Sequence, residues 1–509
     1  MNLQQAYLAE YFHTRFTDDM ADGLAEWLAA FDRFRSGWLI EDCQWLLKEV
    51  RRQPLNAAGR AEVLEQEAIL LMELNDLPRA IHVLKRTRNA FGALDDQHGV
   101  ARTLGHLATV YQLQGDIDAA IELFERARTI FVDLGDRLGQ SSGLLNLASL
   151  LDDLGRWEES ASCYEQCLAI KRELADREGE QKALSNFAIL RRRQGRFAEA
   201  ATLLQQSLTI CRDCHLYRDE AICLSDLGIL HWELSEYELA ERYYLKALKI
   251  LQAVGDFWMA SGTLSNLGIL FLHEARWDEA RTAFSQSLAA SQAIGEKDGE
   301  ATALSNLGLV AHQDNRFEEA EEYYTSALAI SRQIQAEREV GQILHNLGTL
   351  ARDQGDYPGA IAYFRQALVQ AQDIRDLPTQ AKTCNDLAVA LEETGAWAEA
   401  EQTFATSLAA YEEMGVRDGM ATVLLNWGSL HHRTGQVEKA AQHFERALAI
   451  SQATGNLDIQ SRAWHNLGML WSQLGNEAAA MKALLQSLSI ARQRHDLGDE
   501  AKTLAEIGT

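Results

Sequence analysis

The sequence predicts an all-α solenoid of stacked helix pairs, and three observations carry that reading. The chain repeats itself every forty positions, without insertion or deletion, between positions 99 and 498; Asn266, Asn306 and Asn346 mark three successive steps. Each repeat holds two apolar stripes with helical spacings of three and four. Only 4 prolines interrupt the 509 residues. An ordinary globular chain of this length divides into several domains, each with its own core. A repeat array escapes that limit because its core extends along one axis and each unit packs only on its neighbours.

From the N-terminus, residues 1–58 read as a helical cap, with helices near 19–34 and 38–52 rich in Trp27, Phe31, Phe34, Trp38, Trp45 and Leu46. A cap covers the apolar end of an array; docking of a partner is the alternative use of such a segment. Residues 59–98 form a degenerate repeat, with Leu64, Ala68, Asn75-Asp76, Ala80 and Leu84 in the expected slots. Residues 99–498 are ten 40-residue repeats, and 499–509 begin the first helix of an incomplete further one. Leu504 and Ile507 there lack a covering second helix. The expectation is either a native continuation past Thr509 or end-to-end self-association.

Several columns keep the phase. Of 15 asparagines, seven share one slot: Asn146, Asn186, Asn266, Asn306, Asn346, Asn426 and Asn466; His106, Asp226, Asp386 and Glu506 occupy it elsewhere. Two residues later stands glycine (228, 268, 308, 348, 428, 468) or alanine (108, 148, 188, 388). A mid-helix glycine costs about 1 kcal/mol relative to alanine, so this column implies close approach of a neighbouring helix. A second glycine column (115, 155, 195, 355, 395, 435, 475) reads as a left-handed helix end. Ser235, Ala275 and Asn315 depart from it, and those turns are expected to close another way. An aromatic, an alanine and a Phe or Tyr follow. In the repeat from Met259, Leu264, Leu267, Gly268 and Phe271 form one buried face, and Ala280, Phe284 and Leu288 the other. Pro358 and Pro378 fall at helix starts, where a missing N–H costs little.

The order Leu-x-x-Leu-Gly, turn, Ala-x-x-x-Phe resembles the tetratricopeptide repeat, whose usual period is about 34 residues. Six extra residues lengthen the helices by roughly 9 Å per repeat. The family's early Trp is replaced by Leu264 and its equivalents, and its closing Pro is missing. The chain is similar to the 40-residue subclass of kinesin light chains, Leu-Gly-Asn-repeat polarity adaptors and sensor arms of bacterial signalling ATPases. The resemblance implies a right-handed α-α superhelix, more than three quarters helical and without sheet. It also implies that the flank bearing Asn266 lines a concave groove, where its amides bond the backbone of an extended peptide. Asn offers both donor and acceptor for that task. A ladder of amides bonding from repeat to repeat would recur just as regularly, and both readings stay open.

The candidate peptide-binding set is therefore Asn146, Asn186, Asp226, Asn266, Asn306, Asn346, Asp386, Asn426 and Asn466. Three residues further along each helix the slot is apolar in the middle of the chain (Ile189, Ile229, Ile269, Leu309) and polar toward the ends. With Trp232 and Leu272 this suggests a pocket for one or two hydrophobic side chains; simple burial by the longer helices is the alternative. Lys182 lies on the same face. Arg191-Arg192-Arg193 with Arg196 could hold an acidic peptide or phosphate, or could be a solvated helix end complementing its dipole.

Formal charge is −26, which argues against tracking nucleic-acid phosphates. No signal peptide or membrane-length apolar run is present, and 7 scattered cysteines do not form a secreted disulfide framework, so a cytoplasmic location follows. Cys211, Cys214 and His215 match the haem-attachment spacing, with Cys223 nearby as a fourth ligand for zinc, but the segment falls in phase between repeats at the end of a second helix, which argues against both; Cys163 and Cys167 read as core. Nucleotide-binding, metalloprotease and serine-hydrolase motifs are missing. His431-His432 stand in a polar stretch, and the acid pairs Asp152-Asp153 and Glu392-Glu393 fall at helix ends, where exposure is the default. No cofactor, metal or catalytic residue is expected. The reading is a protein-interaction scaffold or adaptor; the alternative is the sensing arm of a larger signalling ATPase or caspase-like protease.

Overall fold

The computed structural model describes residues 3–36, 39–494 and 496–508, and 86% of the chain is helical. Among the described residues there are 26 helices and no strand. The chain divides into two compact units, residues 1–243 and 244–509.

The first unit opens with α1 (Leu3–Asp18), α2 (Met20–Ser36) and α3 (Ile40–Val50). Helix pairs follow: α4 (Ala57–Glu73) with α5 (Leu77–Ala93), α6 (Gln97–Leu113) with α7 (Ile117–Asp133), and α8 (Arg137–Asp153) with α9 (Trp157–Glu173). Next come α10 (Arg177–Arg193) with α11 (Phe197–Asp213), and then α12 (Tyr217–Glu233). Helix α13 (Tyr237–Val254) contains the division between the units. The second unit continues with α14 (Phe257–His273) and α15 (Trp277–Ile294), α16 (Lys297–Gln313) and α17 (Phe317–Gln333), and α18 (Glu337–Asp353) and α19 (Tyr357–Asp373). It ends with α20 (Leu377–Glu393) and α21 (Trp397–Met414), α22 (Arg417–Arg433) and α23 (Val437–Thr454), α24 (Leu457–Gln473) and α25 (Glu477–Gln493), and α26 (Leu497–Gly508).

At the N-terminus the sequence pattern points to two helices where three form. The additional one, α1, buries Phe12 and Phe16 against Trp27, Phe31 and Leu46. Trp27 is fully buried, and its indole N–H donates to the Leu46 carbonyl at 3.1 Å. Trp38 lies outside the described residues.

From α4 onward a new helix begins every twenty positions, at 57, 77, 97 and so on. Left-handed backbone recurs at the same interval, at Asn75, Asp95, Gly115, Gly135 and so on to Gly475. Ser235, Ala275 and Asn315 adopt φ of 60°, 57° and 58°, so these turns close as the glycine turns do and not in another way. Among the described residues the second turns of the repeats also close like this, with Gly135, Gly255, Gly295, Gly415 and Gly455 in place and Asp, Ala, His, Gln or Arg at the rest. Helix starts are capped where Asp or Asn stands just after that residue. The Asp96, Asp136, Asp176 and Asp356 carboxylates each accept from the amide of the glycine three residues on, at 2.9–3.0 Å. Pro358 and Pro378 occupy first-turn positions as expected.

The glycine column does mark a close approach. A Cβ added to Gly268 would lie 2.6 Å from the Phe284 ring; at Gly308, Gly348 and Gly428 it would meet Tyr324, Phe364 and Phe444 at 2.7, 2.6 and 2.5 Å. Each ring comes from the second helix of the same repeat, sixteen residues on, and is fully buried. Ala108, Ala148 and Ala388 fill the slot elsewhere with no exposure. A second fastening joins the same two helices. Ser287, Ser407 and Ser487 hydroxyls donate to the carbonyls of Ser261, Ala381 and Ser461 at 3.0, 2.7 and 3.0 Å.

Gly348→Val should lower stability by about 2 kcal/mol or more, because the branched side chain displaces the Phe364 ring. Ala275→Gly should raise it by about 1 kcal/mol by relieving left-handed strain. Urea unfolding followed by circular dichroism reads both, and opposite signs are expected.

Candidate functional site

In both units the first helix of a repeat touches the first helix of the next, as in α6 with α8, α8 with α10, α18 with α20 and α22 with α24. Second helices meet through long side chains, as where Arg365 of α19 pairs with Glu399 of α21 and Arg446 of α23 with Glu412 of α21. The first helices thus form a continuous wall within each unit. Gly268 faces the second helix, and Asn266, two residues earlier, is rotated about 200° from it and points off the wall.

The wall's last turns are stitched together by polar contacts between one repeat and the next. Arg193 bonds Asp152 at 3.1 Å, His312 bonds Asp353 at 3.1 Å, and Arg433 reaches both Glu392 at 3.1 Å and Glu393 at 2.5 Å. Asp152 and Glu392 are buried, so the first member of each acid pair is not exposed as its position suggested. Burial raises both carboxyls above their usual range, while the facing arginine opposes the rise.

The amide column behaves differently. Asn146 is exposed, and Asn186, Asn266, Asn306, Asn346 and Asn466 are half-buried. None of these six makes a side-chain hydrogen bond among the described residues, and none of their amide atoms is sealed from solvent. Asp386 and Asn426 are tied into the wall instead. The Asn426 amide donates to Asn385 Oδ1 at 3.0 Å, and Asn385 donates to Asp386 at 3.0 Å. His345 Nε2 stands 3.3 Å from Asp386, and Arg352 stands 3.7 Å from it. Burial pushes the His345 imidazole down to about 3, with Lys382 and Arg352 adding to the fall.

Of the apolar candidates, Ile189, Ile229, Leu272 and Leu309 are half-buried, while Trp232 is 37% and Ile269 40% exposed. Lys182 is exposed. The arginine run is divided: Arg193 and Arg196 are exposed, as in a solvated helix end, whereas Arg191 is not. Arg191 is buried over the Phe187 ring at 4.6 Å, and Arg192 and Arg193 pair with Glu233 and Asp152.

Cys211 and Cys223 lie buried with sulfurs 4.0 Å apart, and Cys167 is buried, its thiol reaching the Ser141 carbonyl. Cys163 and Cys214 are half-buried. His431 is buried and stacks on His443 with centroids 5.1 Å apart, so the stretch read as polar contributes a core residue. No group of three or more metal-ligating side chains, and no helix long and apolar enough to cross a membrane, occurs among the described residues.

This arrangement defines a class, helical repeat arrays that offer a wall of first helices. The tetratricopeptide repeat profile matches residues 59–133, 99–173, 140–213, 179–253, 259–333, 339–413 and 419–493, and the chain belongs to that family. Membership places it among protein-interaction and regulatory scaffolds. No curated protein matches the sequence. Among solved structures the chain is similar to BtubC (BKLC) from P. vanneervenii, at 21% identity and TM-score 0.38, covering 46% of this chain and 92% of that one. A Rap protein complexed with competence and sporulation factor shares 15% identity at TM-score 0.44, over 70% of this chain and 98% of its own. The signal-transduction ATPase with a tetratricopeptide repeat sensor from Pyrococcus horikoshii shares 16% identity at TM-score 0.46, over 79% of this chain and 55% of its own. These likenesses are of fold alone.

Asp226 stands where most repeats carry Asn. Burial raises its carboxyl to about 7, the Cys223 sulfur adds to the rise, and Arg192 opposes it. A raised carboxyl holds its proton more tightly when folded, so its penalty is absent below pH 4 and grows until about pH 7. Asp226→Asn should therefore change stability little at pH 4 and raise it by up to about 4 kcal/mol at pH 8. Urea midpoints of the two proteins across that range test the slope.

Proposed function

We propose that the wall of first helices binds an extended segment of a protein partner, with the free amides of the asparagine column as its backbone-bonding groups. The observation that carries this is a contrast found on the wall of each unit taken by itself. The last-turn polar residues are engaged with their neighbours, whereas six asparagines of the column make no side-chain hydrogen bond among the described residues and are not sealed from solvent. A ladder that served stacking alone would bond from repeat to repeat, and Asn426 is the member that does so. Asp386 and Asn426 accordingly act in stacking, and the ligand contacts fall to Asn146, Asn186, Asn266, Asn306, Asn346 and Asn466. In the second unit, Ile269, Leu272 and Leu309 supply apolar contacts beside Asn266 and Asn306. Ile189, Ile229 and Trp232 do so in the first, where Lys182 favours an acidic neighbour. The acidic surface disfavours nucleic acid as the ligand.

Peptides selected on the wild-type protein from a library of terminally blocked 15-mers supply the probe. Replacing Asn266, Asn306 and Asn346 together by alanine should weaken the selected peptides by about one to three orders of magnitude, at roughly 0.5–1.5 kcal/mol per lost bond. Melting should shift little, because the amides face water in the free chain. Ile269→Asp should weaken binding separately. Retained affinity in both variants, or marked unfolding of the triple variant, would overturn the assignment.

A further inference from the structure

Turns between repeats carry a latch. The residue eight positions after a second-helix arginine reaches back across the turn: Arg172 to Glu180 at 2.7 Å, Arg212 to Glu220 at 2.8 Å and Arg492 to Glu500 at 2.7 Å. Gln292 bonds Glu300 at 3.3 Å in the same way. Where the latch residue is glutamine, as in Gln380 and Gln460, its amide caps the carbonyls of Ala371 and Ser451 at 2.8 and 2.9 Å.

At Arg332 the latch is broken, because the eighth residue is Val340. Val340 is buried, and Arg332 is exposed with no carboxylate partner among the described residues. An open cleft of about 550 Å³ takes the place of the pair, between α17, α18 and α19. Val340, Leu344 and Val369 form its apolar side, with Val369 54% exposed. Arg332, Arg365 and Glu337 also line it; Arg365 is held by Glu399 at 2.6 Å, and Glu337 makes no ion pair with Arg332. Eighty residues on, Met420 replaces the latch residue, and a cleft of about 380 Å³ opens in the same part of the repeat, with Arg417 exposed at its rim. Neither cleft shares a residue with the asparagine column.

We propose that the Val340 cleft is a second docking surface. It takes an internal segment of a protein partner in which an Asp or Glu lies one or two residues from a Leu, Met or Phe. The carboxylate replaces the missing latch glutamate on Arg332, and the apolar side chain covers Val340 and Val369. Charge complementarity carries the choice: in a chain of formal charge −26, this cleft presents a guanidinium whose usual partner the sequence has removed. A charge-assisted bond of this kind is stronger than a neutral one.

The same selection of terminally blocked 15-mers should yield an acidic–apolar class that competes poorly with peptides bound at the asparagine wall. Val340→Glu places a carboxylate where Glu180, Glu220 and Glu500 pair with Arg172, Arg212 and Arg492, and it should weaken that class at least tenfold with helicity by circular dichroism retained. Val369→Asp, at an exposed position, should do the same by repulsion. The triple asparagine variant should leave this class unchanged, which separates failure here from failure of the wall. Unchanged affinity in both cleft variants, or selection of no such class, would overturn the proposal. Binding that appears only with a free C-terminal carboxylate would overturn the internal segment as the occupant.

Discussion

The rest of the architecture depends on one contact, an aromatic ring laid against first-helix backbone that carries little or no side chain. Phe284 on Gly268, Tyr324 on Gly308 and Phe364 on Gly348 leave no room for a Cβ without displacement. That closeness fixes the spacing of the two helices and the rotation of the first one about its axis. Once the glycine faces inward, the residue two positions before it must face outward. The ring therefore places the asparagine column, from the opposite side of the helix. The same contact makes the first helices crowd into a layer, because their small side lets the second helices sit close behind them.

Much of this was legible because stacking imposes one environment on every repeat, and a shared environment writes a column. Gly268 and its equivalents, the Ala280 column and Phe284 could all be found by counting in forties. The second turn column was not found, since glycine holds only some of its positions and Asp95, His215 and Arg375 hold others. Left-handed backbone at those residues costs about 1–2 kcal/mol each, and the helices packed on either side outweigh it, so composition does not reveal it. Burial of Asp152 and Glu392 was hidden for another reason. Their arginine partners lie one repeat further along the chain, on a neighbouring helix, and only the stacked repeats bring them together. For the candidate site, the column was legible but its division was not. Asn426 and Asn266 look alike in sequence, and what separates them is Asn385, one residue before the slot in the preceding repeat.

Polar residues in this protein thus fall into two populations. One is consumed by the array: the stitches between first helices, the latches across turns and the serines that pin second helices to first. The other is left unpaired. The six open amides and Arg332 belong to it, as does Lys182. In a regular array the informative positions are those where a recurrent pairing fails, because the neighbouring repeats show what the missing partner would have been.

The twenty-position step has a consequence for length. From α4 to α25 the helices differ in extent by no more than a single residue, and each turn closes on the same backbone conformation. Within most repeats the two helices meet through the same kind of ring and the same small slot, and Leu484 takes the place of the ring against Gly468. Removing or duplicating a block of two helices with their turns leaves the flanking helices facing the partners they already expect. Half such a block would instead set a second helix where a first belongs, burying amides and exposing rings. Growth and shortening of such a chain are therefore quantised, and the tally of repeats can drift between relatives far more easily than the length of any one of them.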